Sequence, residues 1–380
     1  MSRVIIKPEM LRWACERSGQ SPEDLRGRFP KFELWNRGDE SPTIKQLERF
    51  AKATYTPIGF LFLSEPPVER VPIPDFRAVG GKRAARPSPD LLDTVYICQQ
   101  RQEWYREFAR ALGVKPLSFA GCATPASDVE KVAAGIRHTL GFDIEERRQI
   151  PTWTEALRLF INQADTLGIL VMVSGIVGSN TRRKLDPQEF RGFALADNLA
   201  PVVFINGSDT KAAQMFTLAH ELAHIWLGQS AVSDVQAAQI PENRIERWCN
   251  LVAAELLVPL AALRDEYQAN NLLSDEMNRL ARRFKVSTLV ILRRIYDAGG
   301  LTKEQFWKAY HEELERLWTM PAGKGGNFYL SLPARVSKRF ARALVVSTLE
   351  GQTLHRDAFR MLGFSKFETF KSFQRSLGVA

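Results

Sequence analysis

The sequence predicts an α+β chain that is predominantly helical, with a small helical N-terminal domain, a core carrying a short sheet, and a helical C-terminal region. Three observations support this. Apolar residues recur at three- and four-residue spacing through most of the 380 residues. Short runs at 169–173 and 202–205 have the composition of strands. A proline-rich stretch at 64–77 divides the first sixty-odd residues from the rest.

Residues 10–19, 22–28, 32–37 and 43–53 read as four short helices that bury Leu11, Leu25, Leu34, Trp35, Ile44, Leu47 and Phe50. The predicted domain is 1–65. Residues 66–88 follow as an extended linker that turns basic between 80 and 87. A helical connector occupies 89–150, opening with a long helix at 89–112 whose Trp104, Tyr105, Phe108 and Leu112 form a packing stripe. Helices at 126–140 and 152–167 lead into the strand at 169–173. The domain expected at 151–300 carries the chemistry, and 301–380 is a basic helical tail.

The chemistry is concentrated in His220-Glu221-Leu222-Ala223-His224, which lies within an apolar helical run at 211–227. Residues four apart lie one turn above each other, so His220 and His224 can present two imidazole nitrogens to one metal ion. Glu221 lies about 100° round the helix, placed to handle a metal-bound water instead of ligating the metal. With five histidines in the whole chain, this order of residues is a specific signal for a zinc hydrolase.

A catalytic zinc takes three protein ligands and leaves one position for water. The extended HExxHxxGxxH pattern is excluded, because Leu227 and Ser230 stand where its glycine and third histidine belong. A glutamate on the next helix remains, and Pro241 opens such a helix, which ends at Pro259. Glu246 and Asn250 share one face, whereas Glu255 points the opposite way. Glu246 is the preferred ligand, with Glu242 as its competitor one turn earlier.

Three separated motifs, Pro201-Val202-Val203-Phe204-Ile205-Asn206, the run from Phe216 through His220 and His224 to Gly228, and E-x-x-C-N-x-x-A-A-E-x-L-V-P from Glu246 to Pro259, resemble the ImmA/IrrE metallopeptidases. The likeness covers about residues 150–265 and implies a minimal zincin-like core. It implies His220, His224 and Glu246 as zinc ligands and Glu221 as the catalytic base. Cys249 stands where that family usually has alanine, and is not read as a ligand.

In such an enzyme zinc lowers the pKa of water toward neutrality and polarises a peptide carbonyl, while Glu221 takes the proton and returns it to the leaving amine. Zincins commonly hold the substrate as an added strand, and the segment 190–195 is the expected edge, with Arg191, Gly192 and Phe193 as substrate-binding residues. Asn250 is expected to support the ligands. No oxyanion stabiliser is identified, and His311 and His355 read as surface or capping residues.

Composition sets bounds on the rest. The chain is 45% hydrophobic and 25% charged, which describes an ordinary globular protein. No apolar run approaches the eighteen or so residues of a membrane span, and the first residues lack a secretory pattern. Cys15, Cys98, Cys122 and Cys249 form no close pair, as expected of free thiols in a reducing compartment. The family resemblance implies the cytoplasm.

The N-terminal domain resembles an Xre-type helix-turn-helix, most clearly at Trp35-Asn36-Arg37-Gly38 and Pro42-Thr43. Between Leu25 and Trp35 it is about four residues shorter than the usual pattern, which truncates the groove-reading helix. Through residue 63 it carries eleven basic and eight acidic residues, a weak phosphate footprint for DNA. The segment 280–295 also reads as helix, turn, helix, and is assigned a structural role.

Residues 331–380 hold nine basic and three acidic residues, a net +6 out of the chain's +9. Such a surface suits an acidic protein or nucleic-acid phosphate. A reduced Xre-like head, an ImmA/IrrE core and this tail together resemble antitoxin partners of PIN-domain ribonuclease toxins. Two functions follow as expectations. One is a zinc endopeptidase that cleaves a repressor or other protein partner, with possible coupling to transcription. The other is an antitoxin or DNA-binding regulator with a structural or vestigial zinc site.

Overall fold

Apolar spacing of three and four residues becomes helix throughout the computed structural model, which describes residues 3–79, 82–83, 86–233, 241, 243–318 and 334–379. The fold is α+β and predominantly helical. Among the described residues, no helix is long and apolar enough to cross a membrane. The chain divides into two compact units, one of residues 1–72 with 84–95 and one of 73–83 with 96–380.

The first unit begins with α1 (Pro8–Ser18), α2 (Pro22–Arg28), α3 (Phe32–Arg37) and α4 (Ile44–Ala53), followed by a 3-10 turn at Ile58–Phe62. Ser21 caps α2 by accepting the Asp24 N–H, and Thr43 with Gln46 forms a capping box on α4. Met10, Leu11, Leu25, Phe32, Trp35, Leu47 and Phe50 fill its core. Leu34 and Ile44, expected inside, are 39% and 42% exposed. On the short α3, Phe32 and Trp35 already take the inward face, which turns Leu34 outward; Ile44 is the first residue of its helix. Arg17 is buried and makes a paired hydrogen bond to Glu69 at 2.6 and 2.7 Å, which ties the first part of the proline-rich stretch to this unit.

In the second unit, α6 (Val129–Leu140), α7 (Ile144–Gln149) and α8 (Trp153–Leu167) precede a four-stranded sheet. A two-residue pair, β1 (Ala78–Val79) and β2 (Lys82–Arg83), lies before them, and α5 (Pro89–Ala111) begins in the first unit and continues into the second. The sheet strands are β3 (Leu170–Ser174), β4 (Gly192–Leu195), β5 (Val202–Asn206) and β6 (Ala231–Ser233), in the order β3-β5-β4-β6. β3 runs parallel to β5, and β4 runs antiparallel to both β5 and β6.

This order corrects one expectation. The segment 190–195 is not a free edge, because β6 pairs with β4 from Gly192↔Ser233 to Ala194↔Ala231. β6 in turn meets residues 74–76: Val232 donates to the Pro74 carbonyl and Phe76 donates to the Val232 carbonyl, both at 2.9 Å.

α9 (Lys211–Leu227) packs on the sheet and α10 (Arg244–Leu257) packs on α9 and α6, followed by α11 (Leu260–Glu266), α12 (Leu273–Phe284), α13 (Thr288–Asp297) and α14 (Lys303–Trp318). Leu280, Phe284, Ile291, Leu292 and Ile295 join the same core as α9 and α10, so the helix-turn-helix at 280–295 is buried structure. Where α9 ends, a Cβ on Gly228 would meet the Gly121 backbone at 3.0 Å, and its φ of +65° also favours glycine. The tail forms α15 (Lys338–Leu349), α16 (His355–Leu362) and α17 (Phe367–Ser376). It is fastened to α8 through Asp165, which accepts from the Ser337 hydroxyl at 2.5 Å and the Arg339 N–H at 2.9 Å.

Candidate metal centre

Thr210 caps α9 by accepting the Ala213 N–H, and the Gln214 amide donates to the Gly207 and Asp209 carbonyls, which fixes the helix to the end of β5. From Gln214 to Leu227 every residue of α9 is buried. This all-round burial holds His220 and His224 rigidly on one face, with their Nε2 atoms 3.2 Å apart.

α10 supplies the third donor. It starts at Arg244, not at Pro241, because the Asn243 side chain accepts the N–H groups of Ile245 and Glu246. Glu246 thereby faces α9. Its Oε1 is 2.9 Å from His224 Nε2 and its Oε2 is 3.2 Å from His220 Nε2. Ligands at about 2.0–2.1 Å from a tetrahedral zinc stand about 3.3 Å from one another. The three donors lie close to that spacing, and their chemistry, two imidazoles and a carboxylate, is that of a catalytic zinc site.

Supporting groups surround the donors. Asn250 Oδ1 lies 2.9 Å from His220 Nδ1, which places the ring proton there and leaves Nε2 free to face Glu246. Burial works against the Glu246 charge, but the two imidazoles outweigh it and hold the carboxyl at about 2. Burial lowers the His224 pKa against the opposing pull of Glu246, so the neutral, ligating form is favoured.

Glu221 is fully buried, and neither of its oxygens makes a hydrogen bond of ordinary geometry, although the Ser233 hydroxyl is near enough to pull its pKa down. Burial, then the Glu246 charge, raises its pKa well above the usual carboxylate range. An unpartnered acid beside three converging donors is an incomplete site that a metal ion and its water would complete.

The remaining predicted residues take different places. Gly192 lies against Glu221, since a Cβ there would stand 2.6 Å from Thr217 Cγ2 and 3.2 Å from a Glu221 oxygen. Arg191 pairs with Asp209 at 2.9 Å, and Phe193 stacks on Phe204 at 4.9 Å within the core. Glu255 binds Arg294, on the far side of α10. Glu242 lies outside the described residues. His311 bonds to the Trp307 carbonyl of its own helix, and His355 packs among Phe359, Phe367 and Phe370.

Cys249 is a rival donor, because its sulfur lies within 4.8 Å of the histidine ligand atoms. The shorter Glu246 contacts make the carboxylate the better third ligand. Burial, then Glu246 and Glu221, raise the Cys249 thiol well above its ordinary pKa. One residue at the site escaped the sequence reading. Ser233 is fully buried, with its hydroxyl 3.3 Å from Glu246 Oε1 and 3.4 Å from His224 Nε2. A three-residue strand has no periodicity by which it could be found.

Residues 164–296 match the family model of the IrrE N-terminal-like domain, peptidase family M78. This span runs from the end of α8 into α13, so the IrrE-like region contains the sheet, α9 and α10. The match supports a metallopeptidase-like regulatory function. Residues 336–376, which hold α15 to α17, match a domain of unknown function, DUF8813. A search of curated proteins finds no match to the chain.

Proposed function

We propose that the chain is a zinc-dependent regulatory endopeptidase that cleaves a specific protein partner, such as a repressor. One observation carries the reading: two imidazoles and the Glu246 carboxylate converge at 2.9–3.2 Å beside the unpartnered acid Glu221. Zinc held there would supply Lewis acidity and water acidified toward neutrality. Glu221 is the base, held next to His220 on α9 where it can carry a proton from water to the leaving amine. Asn250 keeps His220 in its ligating tautomer, and Gly192 leaves Glu221 room against β4.

The test is processing of a co-purified or co-expressed partner, followed by mass spectrometry for the wild type and Glu221→Gln. Cleavage only by the wild type supports the reading. Equal processing by both proteins contradicts it.

A second reading is favoured by the burial of the centre, since His220, Glu221 and His224 are 0% exposed. On this reading the protein is an antitoxin or transcription regulator that binds a PIN-type toxin through the net +6 tail, and the zinc is structural. Its N-terminal domain would then contact DNA. Stable capture of the toxin by Glu221→Gln with no cleavage by the wild type is the result that selects this reading.

A further inference from the structure

The edge of the peptidase sheet is occupied where a substrate strand would have to lie. β6 runs antiparallel along β4 with Ser233 opposite Gly192, Val232 opposite Phe193 and Ala231 opposite Ala194. All three residues of β6 are fully buried. The Ser230 hydroxyl accepts the Ala196 N–H at 2.9 Å, which fixes the entry to the strand. On its outer side β6 is held by the Pro74 carbonyl and the Phe76 N–H. That outer segment is itself anchored. Arg77, 5% exposed, binds Asp75 at 2.7 and 2.8 Å and Glu189 at 3.3 Å.

The strand also reaches the metal donors. Ser233 Oγ stands 3.3 Å from Glu246 Oε1 and 3.4 Å from His224 Nε2, the edge length of the same tetrahedron that the three donors outline. It therefore lies against the donor cluster on the side of Glu246 and His224. Glu221, which would act on the metal-bound water, is fully buried beside Gly192, the β4 residue that pairs with Ser233.

We infer that β6 is a built-in cap on the metal centre, with Ser233 held against the Glu246 and His224 donors, and that an extended peptide reaches β4 only when β6 and the 74–76 segment move aside. The inference rests on the metallopeptidase reading and adds how that site is kept latent. It also describes the segment that fits. The displacing peptide runs antiparallel to β4 and carries a small residue opposite Gly192, as Ser233 does.

The cap can be locked and loosened. Directly opposed residues on antiparallel strands lie within disulfide range, so Ala194→Cys with Ala231→Cys, in a Cys122→Ser background, can tie β6 to β4. Val232→Pro removes the N–H that bonds to Pro74 and loosens the strand. The readout is the rate at which the zinc-loaded full chain yields its metal to a chelator. The cap predicts release at least about tenfold slower when the disulfide is oxidised than when the same protein is reduced, and about tenfold faster in Val232→Pro than in the wild type. Equal rates in the oxidised and reduced forms, or a Val232→Pro rate equal to that of the wild type, would overturn the cap while leaving the metal site standing. A wild-type chain that takes up no zinc at all would overturn the metallopeptidase reading and the cap together.

Discussion

His220 Nδ1 and Asn250 Oδ1 lie 2.9 Å apart, so one turn of α10 sets the tautomer and tilt of a ring on α9. Both Glu246 and Asn250 come from the same face of α10, four residues apart. The carboxylate closes the donor triangle while the amide aims one of its corners. Asn250→Ala should lower zinc affinity about 10–100-fold, as lost supporting hydrogen bonds do at zinc sites. Competition against a chelator of known affinity measures this, and unchanged affinity would remove the orienting role.

Gly192 is where β4 meets Glu221. An added Cβ would press on Thr217, the Phe204 carbonyl and Glu221. Overpacking of this kind costs about 1–3 kcal/mol, so Gly192→Ala should lower stability by that amount in denaturant titration. Because one of the crowded atoms belongs to Glu221, the same substitution should also reduce partner processing. A variant as stable as the wild type would show that the sheet yields more easily than its backbone contacts imply.

Behind the metal site, Glu255 on α10 and Arg294 on α13 form a buried ion pair, and the same guanidinium donates to the Val258 carbonyl at 2.8 Å. Removing Glu255 leaves the buried guanidinium with the longer Asp297 contact, at 3.6 Å, as its remaining counter-charge. Glu255→Ala should therefore cost about 3–5 kcal/mol of stability. Thermal and chemical unfolding check this, and a loss below about 1 kcal/mol would mean that water reaches the pair.

Acid stability should depend on Glu276. Hydrogen bonds from Arg279 lead the effects that hold its carboxyl at about 2, aided by the Asn271 amide and the Gln268 N–H. Because the folded pKa lies below the ordinary value of 4.5, its contribution is complete above about pH 4.5 and is lost as pH falls toward 2. Glu276→Gln should lower stability at neutral pH and flatten its decline through that acid window. Parallel pH profiles for variant and wild type would refute the assignment.

The sequence made α9 legible because its pattern is long and its histidines are rare. The predicted helix at 211–227 coincides with Lys211–Leu227. A four-residue spacing on the next helix was enough to put Glu246 and Asn250 on one face. Less was legible where structure depends on partners distant in sequence. Ala231-Val232-Ser233 is too short to show a period, so neither β6 nor the interior position of β4 could be read. The start of α10 was misplaced at Pro241 because proline is a strong helix-opening signal, yet Asn243 makes the capping hydrogen bonds. Leu34 reads as core because it is apolar, but α3 spans fewer than two turns and has only one inward face.

The central claim is that Glu246 completes the metal site formed by His220 and His224. Zinc content and affinity of the purified full chain, compared among wild type, Glu246→Ala, Glu242→Ala and Cys249→Ser, test it most directly. Glu246→Ala should lose tightly bound zinc while Glu242→Ala and Cys249→Ser keep it. Wild-type zinc binding in Glu246→Ala, or its loss in Cys249→Ser, would contradict the account.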